Sequence, residues 1–298
     1  MYSVGGDMRT GSRLDVTIAI LTWNGGAVLP RVLEAVFSQE TGLAYEVLAV
    51  DSGSTDGTLE VLGRFRVRVV EVARGEFNFG LTRDLAYRES TGRFVINLSQ
   101  DAVPARPDWL EKLVGPLVED SEASASCGTS IPDAERDFAQ FAWERNGYFY
   151  FTREMRKFAA KYGKGLSFSN SAVRRSVWER LRFDPQPTGE DFQLQKKLHG
   201  CGGRIVFPQD APVLHHHAYS LGGLYRRCRN EGLALRILGC PYNELDLAAD
   251  LAGLRKYVQL LREVRRGSVR TGAELAFPVL RPLAVYAGSR FGRRAVWR

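Results

Sequence analysis

The chain has 298 residues, 44% of them apolar and 25% charged, enough apolar side chain for a core and incompatible with disorder over the whole length. No run of about 18 apolar residues occurs, so no membrane-spanning helix is expected. The net charge of +7 is concentrated at one end. From Leu251 onward Arg255, Lys256, Arg262, Arg265, Arg266, Arg270, Arg281, Arg290, Arg293, Arg294 and Arg298 stand against only Glu263 and Glu274, a tail suited to an anionic partner.

Residues 1–15 carry no apolar stretch between their charges and are expected to form a flexible tail, not a secretory leader. Val16–Thr22 is a β-branched apolar run, the mark of a buried parallel strand. Helical spacing follows at Val28, Val32, Ala35 and Val36. Glu46–Val50 reads as a second strand, Thr58–Phe65 as a short helix, Val67–Val70 as a third strand, Leu81–Glu89 as a helix, Arg93–Leu98 as a fourth strand and Trp109–Val118 as a helix. This alternation predicts an α/β domain, a mostly parallel sheet with helices on both faces.

The pattern then changes. Ala123–Thr129 is expected as a strand, Phe138–Tyr162 as an aromatic-rich helix or lid, Glu190–His199 as a helix and Gly203–Phe207 as a strand. From Leu221 the spacing is helical. Leu247, Leu251, Leu254, Val258 and Leu261 step by three and four and predict one apolar stripe, with Arg255, Lys256 and Arg262 off it. The expected division is a domain over 16–235 and a basic helical extension over 236–298. Cys127, Cys201, Cys228 and Cys240 form no Cys-x-x-Cys pair, which predicts reduced thiols in a cytoplasmic protein.

Open parallel sheets bind ligands beyond the carboxyl ends of their strands. Three polar tips lie there: Thr22-Trp23-Asn24-Gly25-Gly26, the run Asp51–Thr58, and Ser99-Gln100-Asp101-Ala102. Neither the Gly-x-Gly-x-x-Gly fingerprint nor the Gly-Lys-Ser/Thr of a P-loop is present, which argues against a dehydrogenase and a P-loop ATPase. Asp51, at a strand end, can accept from a ribose hydroxyl or a base N–H, whereas Asp56 reads as a helix cap. Asp101 offers oxygen to a hard divalent cation. In an extended segment His215 and His217 share a face and can join such a site. Glu190 and Asp191 open a helix, where acids complement the dipole or serve as a general base. Arg83 can clamp a diphosphate.

Together these residues resemble the family 2 glycosyltransferases, over about residues 16 to 235. The resemblance rests on Thr22-Trp23-Asn24, Asp51-Ser-Gly-Ser-Thr-Asp-Gly57, Arg83, Asp101 and Glu190-Asp191. Glu76-Phe-Asn-Phe-Gly80, Leu98-Ser-Gln-Asp-Ala-Val-Pro104, Ala172-Val-Arg-Arg-Ser-Val-Trp178 and His215-His-His-Ala-Tyr-Ser-Leu221 look like its rhamnosyltransferase branch. The family's usual Asp-x-Asp is reduced here to Ser99-Gln100-Asp101, and Phe79 stands where a His is frequent in the branch.

The resemblance implies a GT-A fold and inverting transfer from a nucleotide-sugar, with dTDP-L-rhamnose the first choice and UDP- or GDP-sugars the alternatives. The acceptor would be a saccharide or lipid-linked sugar in cell-surface polysaccharide synthesis. It implies Thr22, Trp23, Asn24, Asp51, Arg83 and Gln100 at the nucleotide-sugar, Mg²⁺ or Mn²⁺ on Asp101 with His215 or His217, and Asp191 as base with Glu190 as the alternative. Trp143 and Tyr148–Phe151 would serve as an acceptor platform or as core, core being the stronger expectation. A nucleic-acid binder leaves the strand-end acids unexplained and lacks any zinc-finger or RNA-recognition signature; a non-catalytic nucleotide-sugar binder is the other alternative. The basic C-terminal helices suit peripheral contact with the inner membrane face, or packing on the catalytic domain with solvated arginines. Terminal helices are also common dimer surfaces, which leaves a homodimer open.

Overall fold

A computed structural model describes residues 14–131, 141–145, 152–215 and 217–295. The chain runs β1 (Val16–Thr22), α1 (Leu29–Phe37), β2 (Tyr45–Asp51), α2 (Thr58–Leu62), β3 (Val67–Glu71), α3 (Phe79–Glu89), β4 (Phe94–Ser99), β5 (Val103–Pro104), α4 (Trp109–Glu119), β6 (Ala123–Cys127) and β7 (Ser130–Ile131). There follow α5 (Ala142–Arg145), α6 (Arg153–Tyr162), β8 (Asn170–Arg174), α7 (Arg175–Leu181), α8 (Glu190–Gly200), β9 (Arg204–Val206), β10 (Val213–Leu214), α9 (Leu221–Ile237), α10 (Glu244–Ala252), α11 (Leu254–Arg265) and α12 (Gly272–Phe291).

Among the described residues, seven strands form one sheet in the order β3-β2-β1-β4-β8-β6-β9. All are parallel except β8, which runs antiparallel to β4 and β6. The period of two decides the layers. Ile18 and Ile20 of β1, Val47 and Ala49 of β2, and Phe94 and Ile96 of β4 face one core with Leu33, Trp109 and Leu113. The intervening Ala19, Leu48, Val50 and Val95 face the other core with Tyr87, Trp178 and Leu194. Helices therefore cover both faces, as the near-continuous apolar strands require.

A second sheet of three short strands, β5-β10-β7, sits at the strand-end edge. The strand expected over Ala123–Thr129 stops early as β6 at Cys127, and Ser130–Ile131, just beyond it, pairs with β10. The helix expected over Thr58–Phe65 ends at Leu62, where Gly63 follows. The strand β8 was not anticipated, since Asn170-Ser-Ala-Val-Arg174 has one β-branched residue.

The C-terminal helices pack on one another around Phe141, Trp143, Leu224, Tyr242, Phe277 and Val285. Helices α9 and α12 lie backbone to backbone. A Cβ on Gly288 would sit 1.8 Å from the Arg229 carbonyl, and one on Gly232 would sit 2.0 Å from the Val285 carbonyl. Arg281 of α12 is buried and pairs with Glu154 of α6 at 2.9 Å and Glu231 of α9 at 2.8 Å. Residue 236 thus falls near the end of α9, a helix already joined to the extension. The single apolar stripe is corrected. Gly253 leaves helical geometry with φ −67° and ψ 105° and separates α10 from α11. Leu247 and Leu260 turn inward, while Leu254, Val258 and Leu261 are exposed. No helix among the described residues is long and apolar enough to cross a membrane.

Candidate active site

Thr22 and Asp51 are paired in register at the ends of β1 and β2. Thr22 Oγ1 donates to Asp51 Oδ1 at 2.9 Å, Ser54 Oγ donates to the same oxygen at 2.6 Å, and Ser54 N donates to Oδ2 at 2.8 Å. The Asp51 carboxylate is fully enclosed, and it organises the loop rather than facing the cleft. Asn24 holds a left-handed backbone, φ 47°, which Asn tolerates better than most residues. Its Oδ1 accepts from Thr55 N at 2.9 Å and its N donates to Ser54 Oγ at 2.9 Å. Asp56 accepts from Thr58 N at 3.2 Å and Gly26 N at 3.0 Å and ties the two loops together, but the expected cap is corrected: Gly57, with no side-chain hydrogen bond, is the N-cap of α2. Gln100 locks the third tip on: its Oε1 accepts from Trp23 N at 3.0 Å and its Nε2 donates to Trp23 O at 3.2 Å.

These tips line a cleft of about 670 Å³ with Thr22, Trp23, Ser52, Arg83, Gln100 and Asp101 on its walls. Sequence reasoning missed Arg74, Phe77 and Arg294, which also line it. The Arg74 guanidinium lies 5.3 Å from the Trp23 ring centre, a cation–π contact at the mouth. Arg294 arrives from beyond α12, and no local pattern links it to strand ends. A second cleft of about 780 Å³ lies among α6, α10, α11 and α12. It is larger, but the strand-end tips and the histidines are elsewhere.

The second sheet brings Asp101 and the histidines together. Leu214 of β10 pairs antiparallel with Val103 of β5, so His215 comes to the Asp101 side. His215 Nε2 lies 3.3 Å from Asp101 Oδ1. One ligand atom each from Asp101, His215 and His217 falls within 4.8 Å of the others. The donor set, one carboxylate oxygen and two imidazole nitrogens, fits a manganese-like or magnesium-like ion in a mixed site. Burial pushes Asp101 up, but the hydrogen bond and charge of His215 outweigh it and hold the carboxyl below its usual range. Burial lowers His217, which favours the neutral imidazole that ligates metal. Both histidines therefore enter the cluster that the sequence left open between them.

Arg83 joins this cleft to α8. Its guanidinium lies 3.5 Å from Glu190 Oε1 and 5.0 Å from the Phe168 ring centre. Its Nε and Nη1 are buried with no hydrogen-bond partner among the described residues, so two donors are free for an anionic ligand. Glu190 is buried, and burial raises its carboxyl while Arg83 opposes the rise. Asp191 is half-buried. Burial and then the Glu190 charge push it up to about 7. A carboxyl there changes protonation near neutrality, which suits a general base. Trp143 is core, stacked 4.7 Å from Phe277, while Tyr148–Phe151 lie outside the described residues.

Comparison with known proteins bears on the family and the fold. The family model described as glycosyl transferase family 2 matches residues 17–182. The O-antigen chain rhamnosyltransferase RfbN of Salmonella typhimurium is 30% identical over 230 residues, 74% of this chain and 72% of that protein. The O-antigen chain rhamnosyltransferase WbaN of Salmonella anatum is 27% identical over 226 residues, 73% of this chain and 71% of that one. Among solved structures, a mannosyltransferase of Pyrobaculum calidifontis in complex with GDP-mannose and Mn²⁺ superposes with a TM-score of 0.63 at 18% identity, covering 95% of this chain and 88% of that chain. Glucosyl-3-phosphoglycerate synthase of Mycobacterium tuberculosis, solved with Mn²⁺, UDP-glucose and phosphoglyceric acid, gives a TM-score of 0.53 at 19% identity over 76% of this chain and 81% of that chain. The fold is of the GT-A type, mostly parallel and flanked by helices, with a helical C-terminal region.

Proposed function

The chain belongs to the family 2 glycosyltransferases, and from that premise we propose that it is an inverting, metal-assisted rhamnosyltransferase of surface polysaccharide synthesis. The observation that carries this is the meeting, at one strand-end cleft, of the Asp101–His215–His217 cluster with Arg83, which has free donors and is ion-paired to the head of α8. The donor is dTDP-L-rhamnose, by likeness to the two O-antigen rhamnosyltransferases. A GDP- or UDP-sugar is the second reading, because the solved neighbours hold GDP-mannose and UDP-glucose.

Thr22, Asp51, Asn24 and Gln100 hold the loops that receive base and ribose, and Trp23 gives the wall an aromatic face. Asp101, His215 and His217 would hold Mg²⁺ or Mn²⁺, which when bound supplies a Lewis acid for the diphosphate. Arg83 donates to the diphosphate oxygens as negative charge grows there. Asp191 takes the proton of the acceptor hydroxyl. The freed oxygen bonds to the anomeric carbon on the face opposite the nucleoside diphosphate, whose bond to that carbon breaks. The configuration inverts, and a β-L-rhamnosyl donor gives an α-L-rhamnoside. Glu190, engaged with Arg83, is the weaker candidate for base. Incubation with dTDP-, UDP- and GDP-sugars tests the donor: release of dTDP from dTDP-rhamnose above the other nucleotides supports the reading, and preferential release of UDP or GDP replaces it.

The acceptor is a lipid-linked saccharide presented at an anionic membrane surface. Exposed Leu254, Val258, Leu261 and Val264 on α11, rimmed by exposed Arg255, Arg262, Arg265 and Arg266, support peripheral contact of this kind. Flotation with phosphatidylglycerol vesicles at low salt, and none with phosphatidylcholine, is the expected result. Absence of flotation together with a dimer in sedimentation would assign the face to a second copy instead.

A further inference from the structure

Glu144 lies in α5, between two stretches outside the described residues, and no sequence pattern links it to the cleft. It is buried, 7% exposed. Its Oε1 contacts His217 Nδ1 at 3.0 Å and accepts from the Tyr219 hydroxyl at 3.0 Å, while its Oε2 accepts from the His217 backbone N at 3.2 Å. A carboxylate at Nδ1 accepts a hydrogen bond from the ring N–H there, which keeps the proton on Nδ1 and leaves the lone pair on Nε2. The His217 ring is further fixed between the Tyr219 ring, stacked at 5.5 Å, and the His215 ring, edge-on at 4.5 Å.

What holds Glu144 is the C-terminal extension. Ala142 N donates to Glu274 Oε1 at 2.9 Å, and Trp143 Nε1 donates to the Glu274 carbonyl at 2.7 Å. Glu274 Oε2 meanwhile accepts from Thr271 N at 2.9 Å in the capping box that starts α12. Phe141 N donates to the His217 carbonyl at 3.1 Å. One acidic side chain thus begins α12 and anchors the short helix that reaches the histidine.

We propose that Glu144 is the positioning residue of the metal site, fixing the tautomer and ring orientation of His217, and that α12 holds it there through Glu274. This rests on the reading of Asp101, His215 and His217 as a divalent-cation site. Carboxylate partners of this kind orient metal-ligating histidines, and their loss costs about 10–100-fold in metal affinity. The extension is then a structural part of the catalytic centre as well as an outer surface.

The test is Mn²⁺ affinity of the full chain, read from the free-Mn²⁺ electron paramagnetic resonance signal, beside the ¹⁵N shifts of the metal-free His217 ring. Wild type binds Mn²⁺, shows the Nδ1–H tautomer, and loses binding in His217→Ala. Glu144→Ala weakens Mn²⁺ by about 10–100-fold and gives mixed tautomers, and Glu144→Gln weakens it less, by about 3–10-fold, because it keeps an acceptor but loses the charge. Should the alanine variant not fold, the isosteric glutamine variant decides. Wild-type affinity and tautomer in Glu144→Gln overturn the proposal alone, whereas a wild type that binds no Mn²⁺ overturns the metal site on which it rests.

Discussion

Replacing Asp191 with Asn separates catalysis from stability. In the native chain this carboxyl is pushed from 3.8 up to about 7. The folded state therefore binds the proton more tightly than the unfolded state, and ionising the buried group disfavours folding. The penalty is absent below the unfolded value, grows as pH rises toward 7, and is complete above it. Asp191 is only half-buried and part of the rise is repulsion from Glu190, so the expected gain for Asp191→Asn is about 1–2 kcal/mol. That is a rise of about 2–6 °C in melting temperature near pH 8, shrinking to about a third of that near pH 5. Turnover should fall by about 10²–10⁴-fold, with donor affinity unchanged. Differential scanning fluorimetry at the two pH values, with a nucleotide-release assay, makes the comparison. A variant whose gain over wild type is no larger near pH 8 than near pH 5, or that keeps wild-type turnover, would refute the assignment of Asp191 as a buried base.

The pH profile of kcat in the wild type should rise tenfold per unit on its acid limb and level off above about pH 7, as the raised Asp191 carboxyl deprotonates; a profile flat from about pH 5 to 8 would point to another base. Arg83→Gln removes the donors proposed for the diphosphate and takes the Arg83 partner from buried Glu190, so calorimetry should show nucleoside diphosphate binding weakened by at least about tenfold and a stability loss of about 3 kcal/mol. Asp51→Ala strips three hydrogen bonds from the first two loops; a stability loss of about 2–3 kcal/mol in urea and a raised donor KM are expected. Gly288→Val pushes side-chain atoms into the Arg229 carbonyl, 1.8 Å from the first of them, and should cost more than about 3 kcal/mol or abolish soluble expression.

The parallel half of the sheet was legible because β1, β2 and β4 are buried on both faces and carry continuous apolar runs. The tips after those strands were legible for the same reason, since strand ends locate the ligand edge. The small sheet was not, because β5, β7 and β10 are two residues each and pair only through tertiary contact. It is this sheet that brings His215 to Asp101, so periodicity showed the residue types of the cluster while the family resemblance supplied their meeting. Asp51 was expected to face a ligand, yet Thr22 and Ser54 enclose it. Glu144 contacts a histidine 73 positions away, and Arg294 reaches the cleft from beyond α12. Periodicity carries no signal for either. The stripe after Leu247 was misread because spacing alone does not register that Gly253 stops one helix and re-aims the next.

The most direct measurement is the melting temperature of wild type and Asp101→Asn with dTDP, UDP and GDP, each with Mn²⁺ and with EDTA. A ligand at about 100 times its dissociation constant stabilises by about 2.7 kcal/mol, a readily visible shift. One nucleotide, dTDP foremost, should stabilise the wild type with Mn²⁺, and EDTA or Asp101→Asn should remove the effect. No stabilisation by any of the three with Mn²⁺ would contradict the proposed function.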